Sequence, residues 1–204
     1  MKTHFLMIGF SCTGKTSLGG EAFPGEIIDS DKELLKWIGQ KEGQPFSHVY
    51  EIYMKLERDP ALSLIEEAEE ALIDKWANDT RPKTISLGPG IPLRKNWARL
   101  HAISYVVLFR RSPQGIYDSL MKRRDKTFKC CPEAKKHDNW DVDVIVDANR
   151  TEFTKEVAIS NIQRLLDERE SVYRYHDAEV VTDNDNALQK LMELASAFKS
   201  RPVS

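Results

Sequence analysis

The chain has 204 residues, 41% of them hydrophobic and 30% charged, with 10 Gly and 9 Pro. That is one domain's worth of ordinary apolar content, which excludes disordered, collagen-like and low-complexity classes. The 30 Lys+Arg against 32 Asp+Glu leave a net charge of −2, so no global field draws the chain to nucleic acid or an anionic membrane, and any anion must be held by a local site. The opening run Phe5–Phe10 is too short for a signal-peptide core, and no stretch approaches the ~20 apolar residues of a membrane helix. Of three cysteines, Cys130 and Cys131 are adjacent, which suits no disulfide framework and predicts a reducing, cytoplasmic setting.

Taken in chain order, short β-branched or aromatic runs alternate with longer helical patterns. The runs are Phe5–Phe10, Glu26–Ile28, Thr84–Leu87, Tyr105–Phe109 and Glu179–Val181. Helices are predicted from Thr16 onward and over Lys32–Ile38, Pro60–Trp76, Trp97–Ile103, Pro113–Arg124, Thr154–His176 and Asn184–Phe198. In the second of these spans Leu62, Ile65, Ala68, Leu72 and Trp76 recur at helical spacing. Nearly continuous apolar strands between helices argue a parallel sheet covered on both faces. Residues 125–150 break the rhythm: they are polar and rich in Lys and Asp, with an alternating Asp141–Asp147 segment. A connection this long reads as a mobile lid, with a short hairpin in it, inserted into a single domain spanning 1–204.

The strongest chemical signal is Gly9-Phe10-Ser11-Cys12-Thr13-Gly14-Lys15-Thr16. It fits G-x-x-x-x-G-K-[ST] at every fixed position, directly after an apolar strand and before a helix that Ser17 continues. Glycines let backbone N–H groups turn inward around phosphate oxygens at a helix N-terminus. Lys15 is placed to reach the β- and γ-phosphates, and the Thr16 hydroxyl to ligate Mg²⁺. The guanine-specifying N-K-x-D element is missing from the sequence, which favours ATP. After the next strand comes Asp29-Ser30-Asp31, where parallel sheets gather ligands. Asp29 is assigned to Mg²⁺ through water and Asp31 to the acceptor hydroxyl, although Asp at a helix start is also an ordinary cap.

These pieces together resemble the shikimate kinases. The P-loop Gly9–Thr16, the paired Asp29 and Asp31, and Ile85-Ser86-Leu87-Gly88-Pro89-Gly90 occur in family order. So does Arg169-Glu170-Ser171-Val172-Tyr173, followed by Ala178 and Thr182. Arg123-Arg124-Asp125-Lys126 is similar to the stretch that opens the family's lid near adenine. The resemblance implies a P-loop α/β/α fold with a five-stranded parallel sheet of order 2-3-1-4-5. It implies Gly9, Ser11, Cys12, Thr13, Gly14, Lys15, Thr16, Ser17 and Arg124 around ATP, and Lys15, Asp31 and Arg124 in catalysis. Asp31, Arg58, Gly88, Pro89, Gly90 and Arg169 fall to the acceptor, and Thr16 and Asp29 to Mg²⁺. Arg169 also stands out by position, on the seam of Ile162, Leu165, Leu166, Val172 and Tyr173.

Departures lie in the acceptor half. Pro89 replaces the central glycine and has no N–H to donate, no Phe precedes Arg58, and the lid is longer. Cys130, Cys131 and His137 lack metal-site spacing. The expected activity is Mg²⁺·ATP-dependent phosphoryl transfer to a hydroxyl of a small, carboxylated metabolite. The alternatives are a polyol, sugar acid, nucleoside or nucleotide as acceptor, or a regulatory nucleotide-binding module without catalysis. Neither nucleic acid nor membrane is expected as a partner, and a monomer or weak homodimer is.

Overall fold

Five strands, none longer than seven residues, carry the architecture of this computed structural model, which describes residues 2–56, 58–130 and 154–200. The chain divides into two compact units, Met1–Arg110 with Tyr175–Ser204, and Arg111–Arg174. The first holds β1 (His4–Ile8), α1 (Lys15–Ala22), β2 (Ile27–Asp29), α2 (Ser30–Glu42), α3 (Val49–Lys55), α4 (Arg58–Ala77), β3 (Thr84–Ser86), a 3-10 turn (Ile91–Leu93), α5 (Trp97–Ala102) and β4 (Ser104–Arg110). The second holds α6 (Pro113–Cys130) and α7 (Lys155–Tyr173). The chain then returns to the first for β5 (Ala178–Val181) and α8 (Ala187–Lys199).

The strands form one all-parallel sheet in the order β2-β3-β1-β4-β5, as the resemblance implies. With β1 at the centre, its residues are buried on both sides. Side chains alternate across the sheet. Phe5, Met7, Val107, Phe109 and Val180 pack on one face with Phe23, Ala187, Leu191 and Ala195, where the Phe5 ring lies 5.0 Å from Phe23 and 5.4 Å from Phe198. Leu6, Ile8, Ile85, Val106 and Leu108 line the opposite face. On that side α5 packs on β4 and α4 packs on α2 and α5. Because all strands run the same way, Ile8, Asp29, Ser86, Arg110 and Val181 end at one edge of the sheet. In the second unit α6 and α7 pack on each other.

The boundaries follow local chemistry. The Asp29 carboxylate accepts the Asp31 N–H at 3.0 Å and caps α2, so this helix begins two residues before the predicted Lys32. It runs to Gly43, whose φ of 66° ends it. The seven-residue α3 is unpredicted, and the Glu51 carboxylate holds its start by accepting the Ser47 N–H at 2.9 Å. Leu62, placed on the apolar seam of α4, is exposed instead; Ala61, Leu64, Ile65, Ala68, Leu72, Ile73 and Trp76 are buried. Helix α6 continues to Cys130, so the first six residues of the expected lid are helical. The predicted hairpin, Cys131 and His137 lie outside the described residues.

At the other edge of the sheet, His4 is fully buried, with its Nε2 3.0 Å from the Trp76 carbonyl and no hydrogen-bond partner for Nδ1 among the described residues. Burial holds its pKa below the ordinary 6.5, so the folded state favours neutral imidazole. This stabilising preference is present in full above the unfolded pKa and is lost as pH falls below it. Wild type should lose more unfolding free energy than a His4→Gln variant between about pH 7.5 and about pH 5.5, measured by urea denaturation.

Candidate active site

Three consecutive strand ends and the loops that leave them form the site. After β1 the backbone turns through Gly9 at φ 141°, Cys12 at φ 61° and Gly14 at φ 86°, conformations that L side chains rarely adopt and that aim successive N–H groups into a hollow. Gly9 has a second reason to be glycine. A Cβ there would stand 2.4 Å from the Phe109 carbonyl oxygen of β4. Thr13 Oγ1 donates to the Phe10 carbonyl at 2.9 Å and steadies the turn. Gly14 caps α1, and the Thr182 methyl group, just beyond β5, lies beside it.

Lys15 is only 7% exposed. Its ammonium donates to the carbonyls of Gly9 at 2.9 Å and Phe10 at 2.7 Å, so the loop's own oxygens fix the charge inside the loop that the N–H groups line. One residue on, the Thr16 hydroxyl lies 2.9 Å from the Ser86 hydroxyl at the end of β3. Asp29 stands opposite Ser86 in the β2–β3 register. Hard oxygen donors thus sit side by side on α1, β3 and β2, the donor type that Mg²⁺ takes alongside phosphate oxygens and water. Among the described residues no cluster of three or more His, Cys, Asp or Glu side chains has metal-binding geometry.

The second half of the site is built next to it. Ser30 is buried, and its Oγ accepts the Gly88 N–H at 2.6 Å, joining the starts of α2 and of the loop after β3. A Cβ on Gly88 would stand 2.8 Å from Asp31 Oδ1, and one on Gly90 would stand 2.7 Å from Glu69 Oε1. Between them Pro89 lies in a tight turn closed by the Ile91 N–H on the Gly88 carbonyl. Glu69 reaches this loop from α4. It is 6% exposed, and its Oε2 accepts Arg94 Nε at 2.6 Å. Arg94 also gives Nη1 to Glu66 at 2.6 Å. Burial raises the Glu69 pKa, Arg94 opposes it, and the charges of Asp31 and Glu66 push it further up.

Gly9, Ser11, Cys12, Thr13, Gly14, Lys15, Thr16, Ser17, Asp29, Asp31, Gly88, Pro89 and Gly90 therefore gather at one sheet edge, although the Asp29 carboxylate is also the cap of α2. Arg169 and Arg124 belong to the second unit. There Arg169 shares the half-buried seam of α7 with Tyr173, whose phenol burial raises above its ordinary pKa against the pull of Arg169. Arg58 and Arg124 fall on the backbone of α4 and α6, and their side chains lie outside the described residues. Ser30, Ser86, Glu69 and Arg94 were not legible as site residues. Glu69 carried a signal: it stands four residues from both Ile65 and Ile73, a carboxylate on an apolar seam.

Shikimate kinase from Acinetobacter baumannii, in complex with shikimate, superposes with a TM-score of 0.65 and 17% identity, covering 100% of this chain and 97% of that one. Shikimate kinase from Bacteroides thetaiotaomicron gives 0.61 and 14%, over 98% and 99%, and the Aquifex aeolicus enzyme 0.53 and 16%, over 97% and 98%. No family model and no curated protein sequence matches the chain. The fold is that of the shikimate kinases, a P-loop small-molecule kinase fold.

The close approach of Gly9 to Phe109 sets a first test of the phosphate loop. Gly9→Ala should lower the unfolding free energy by roughly 2 kcal/mol or more, from backbone collision and an unsuitable φ. Where ATP raises the melting temperature of the wild type, Gly9→Ala should lose that rise.

Proposed function

We propose that this chain is an ATP-dependent small-molecule kinase that transfers the γ-phosphoryl group to a hydroxyl of a small metabolite. The observation that carries the reading is the juxtaposition of a phosphate loop holding the buried Lys15 ammonium with Asp31 beside the Gly88 backbone on the neighbouring strands. Mg²⁺·ATP supplies the transferable group and the neutralising cation. Lys15 and the loop N–H groups stabilise the charge on the transferring group, a preorganised arrangement that needs no rearrangement at the moment of reaction. Thr16 and Asp29 hold the cation, the Thr16 hydroxyl being positioned by Ser86. Asp31 orients the acceptor hydroxyl and takes its proton as the hydroxyl oxygen bonds to the γ-phosphorus, while the bond from that phosphorus to the β,γ-bridging oxygen breaks and ADP leaves with its electron pair.

The resemblance adds Arg124 at the nucleotide and Arg58 and Arg169 at the acceptor, with residues 125–150 as a lid that excludes water. Near-neutral charge and cysteines without disulfide spacing support a cytoplasmic monomer or weak homodimer whose partner is a metabolite and not nucleic acid or membrane. For the acceptor, a polyol reading gains over a carboxylated one from two observations. Pro89 withdraws a backbone donor, and Arg94 already carries two carboxylates.

ADP release across a metabolite panel, with ATP binding followed by calorimetry, tests the reading. Lys15→Met should abolish transfer. Asp31→Asn should retain ATP binding while kcat falls by about 10²-fold or more. Full turnover in Lys15→Met would sink the proposal. Tight ATP binding by the wild type without transfer to any acceptor would favour a regulatory nucleotide-binding module instead.

A further inference from the structure

We infer that Glu69 is an acceptor-binding residue whose Oε1 takes a hydrogen bond from a donor group on the acceptor, next to the hydroxyl that Asp31 handles. The acceptor is accordingly a compound rich in hydroxyl or ammonium donors, not a carboxylic acid. This rests on the kinase reading above and specifies what enters its acceptor side.

The two oxygens of the Glu69 carboxylate have different surroundings. Oε2 is held by Arg94 Nε at 2.6 Å. Oε1 accepts no hydrogen bond from a described residue, although the side chain is 6% exposed. Oε1 is therefore open to solvent at the edge of this loop, where a donor group on a ligand can reach it.

Its neighbours let both carboxylates lie directly against the backbone. The missing Cβ of Gly90 would stand 2.7 Å from Oε1, and the missing Cβ of Gly88 would stand 3.9 Å from Oε1 and 2.8 Å from Asp31 Oδ1. One oxygen from each of two carboxylates therefore flanks Gly88. Neither glycine has a positive φ, so backbone freedom does not explain them, and close approach does.

Carboxylate oxygens only accept. A group entering between Asp31 and Glu69 must donate, which hydroxyl and ammonium groups do and an ionised carboxylate cannot. Arg94, the cation that meets Glu69, does not reverse this preference. Its Nε is on Glu69 and its Nη1 on Glu66, so one positive charge is shared by two negative ones. Arg94 fixes the Glu69 carboxylate in place and leaves Oε1 turned to the glycine loop.

The test uses the full chain with ATP and five probes: D-ribose, myo-inositol, D-glucosamine, D-gluconate and shikimate. ADP release gives kcat and KM, and calorimetry gives affinity without turnover. Neutral or amine-bearing probes should exceed the two acids in kcat/KM by about tenfold or more. Glu69→Gln should raise the KM of the best probe by roughly 10- to 100-fold, with ATP affinity unchanged and kcat less affected. A larger penalty on glucosamine than on ribose and inositol would identify the donor as ammonium, and an equal one as hydroxyl. Gly88→Ala crowds the Asp31 carboxylate while leaving Glu69 intact, and should raise the same KM with ATP affinity retained, separating loss of the site from loss of the fold.

Preference for gluconate or shikimate, or an unchanged KM in both variants, would overturn the inference and leave the kinase reading standing. Glu69-dependent binding of a polyol without ADP release would sustain the inference about the site and overturn phosphoryl transfer. Neither binding nor turnover of any probe would overturn both.

Discussion

Gly9 lies so close to β4 that no side chain fits between its Cα and the Phe109 carbonyl, and the rest of the site inherits its geometry from that contact. The contact sets where the chain leaves β1. The left-handed turns at Cys12 and Gly14 then bring the start of α1 back over the strand, so that Lys15 reaches the Gly9 and Phe10 carbonyls. An ammonium buried to this degree needs several oxygens around it. The fold supplies them from the six-residue loop Gly9–Gly14, whose backbone also carries the N–H groups, so cation and donors share one frame. Phe109 is itself held by the packed face of Phe5, Val107, Val180 and Leu191, which links the precision of the phosphate loop to the hydrophobic core.

From there the geometry spreads across the sheet by hydroxyls and not by charges. The Thr16–Ser86 pair connects α1 to β3, and the Ser30–Gly88 bond connects α2 to the loop after β3. Both are short and local, and the second is buried. They align the first two strand ends with the third without placing a permanent charge where phosphate and metal charges would gather. Charged pairs occur one layer further out, at Glu69–Arg94–Glu66.

Much of this was legible in the amino-acid order because it depends on local rules. The P-loop spacing, the apolar run before it and the helix after it are all short-range, and they specify β1, the turn and α1 together. The five strands were placed to within two residues because parallel strands buried on both faces read as continuous apolar runs. Asp29 was assigned as a ligand, with capping the ordinary alternative, and its cap bond to Asp31 is present. What escaped was relational. Ser30 and Ser86 are unremarkable as single residues and acquire meaning only when β2, β3 and α1 are side by side. Glu69 lies 38 residues beyond Asp31 in the chain, and only the packing of α4 on α2 brings the two carboxylates to one loop.

The strand order has a consequence for how such a chain can diverge. Taking β1 as the divide, β3 and β2 lie on one side and β4 and β5 on the other. Asp31, Gly88, Gly90 and Glu69 all depend on the first side, while Phe109 and Thr182 buttress the phosphate loop from the second. Exchange of Asp31, Gly88, Gly90 or Glu69 therefore leaves the Phe109 and Thr182 supports of the Gly9–Thr16 loop untouched. The two flanks are free to drift at different rates, provided the Thr16–Ser86 pair between them is kept.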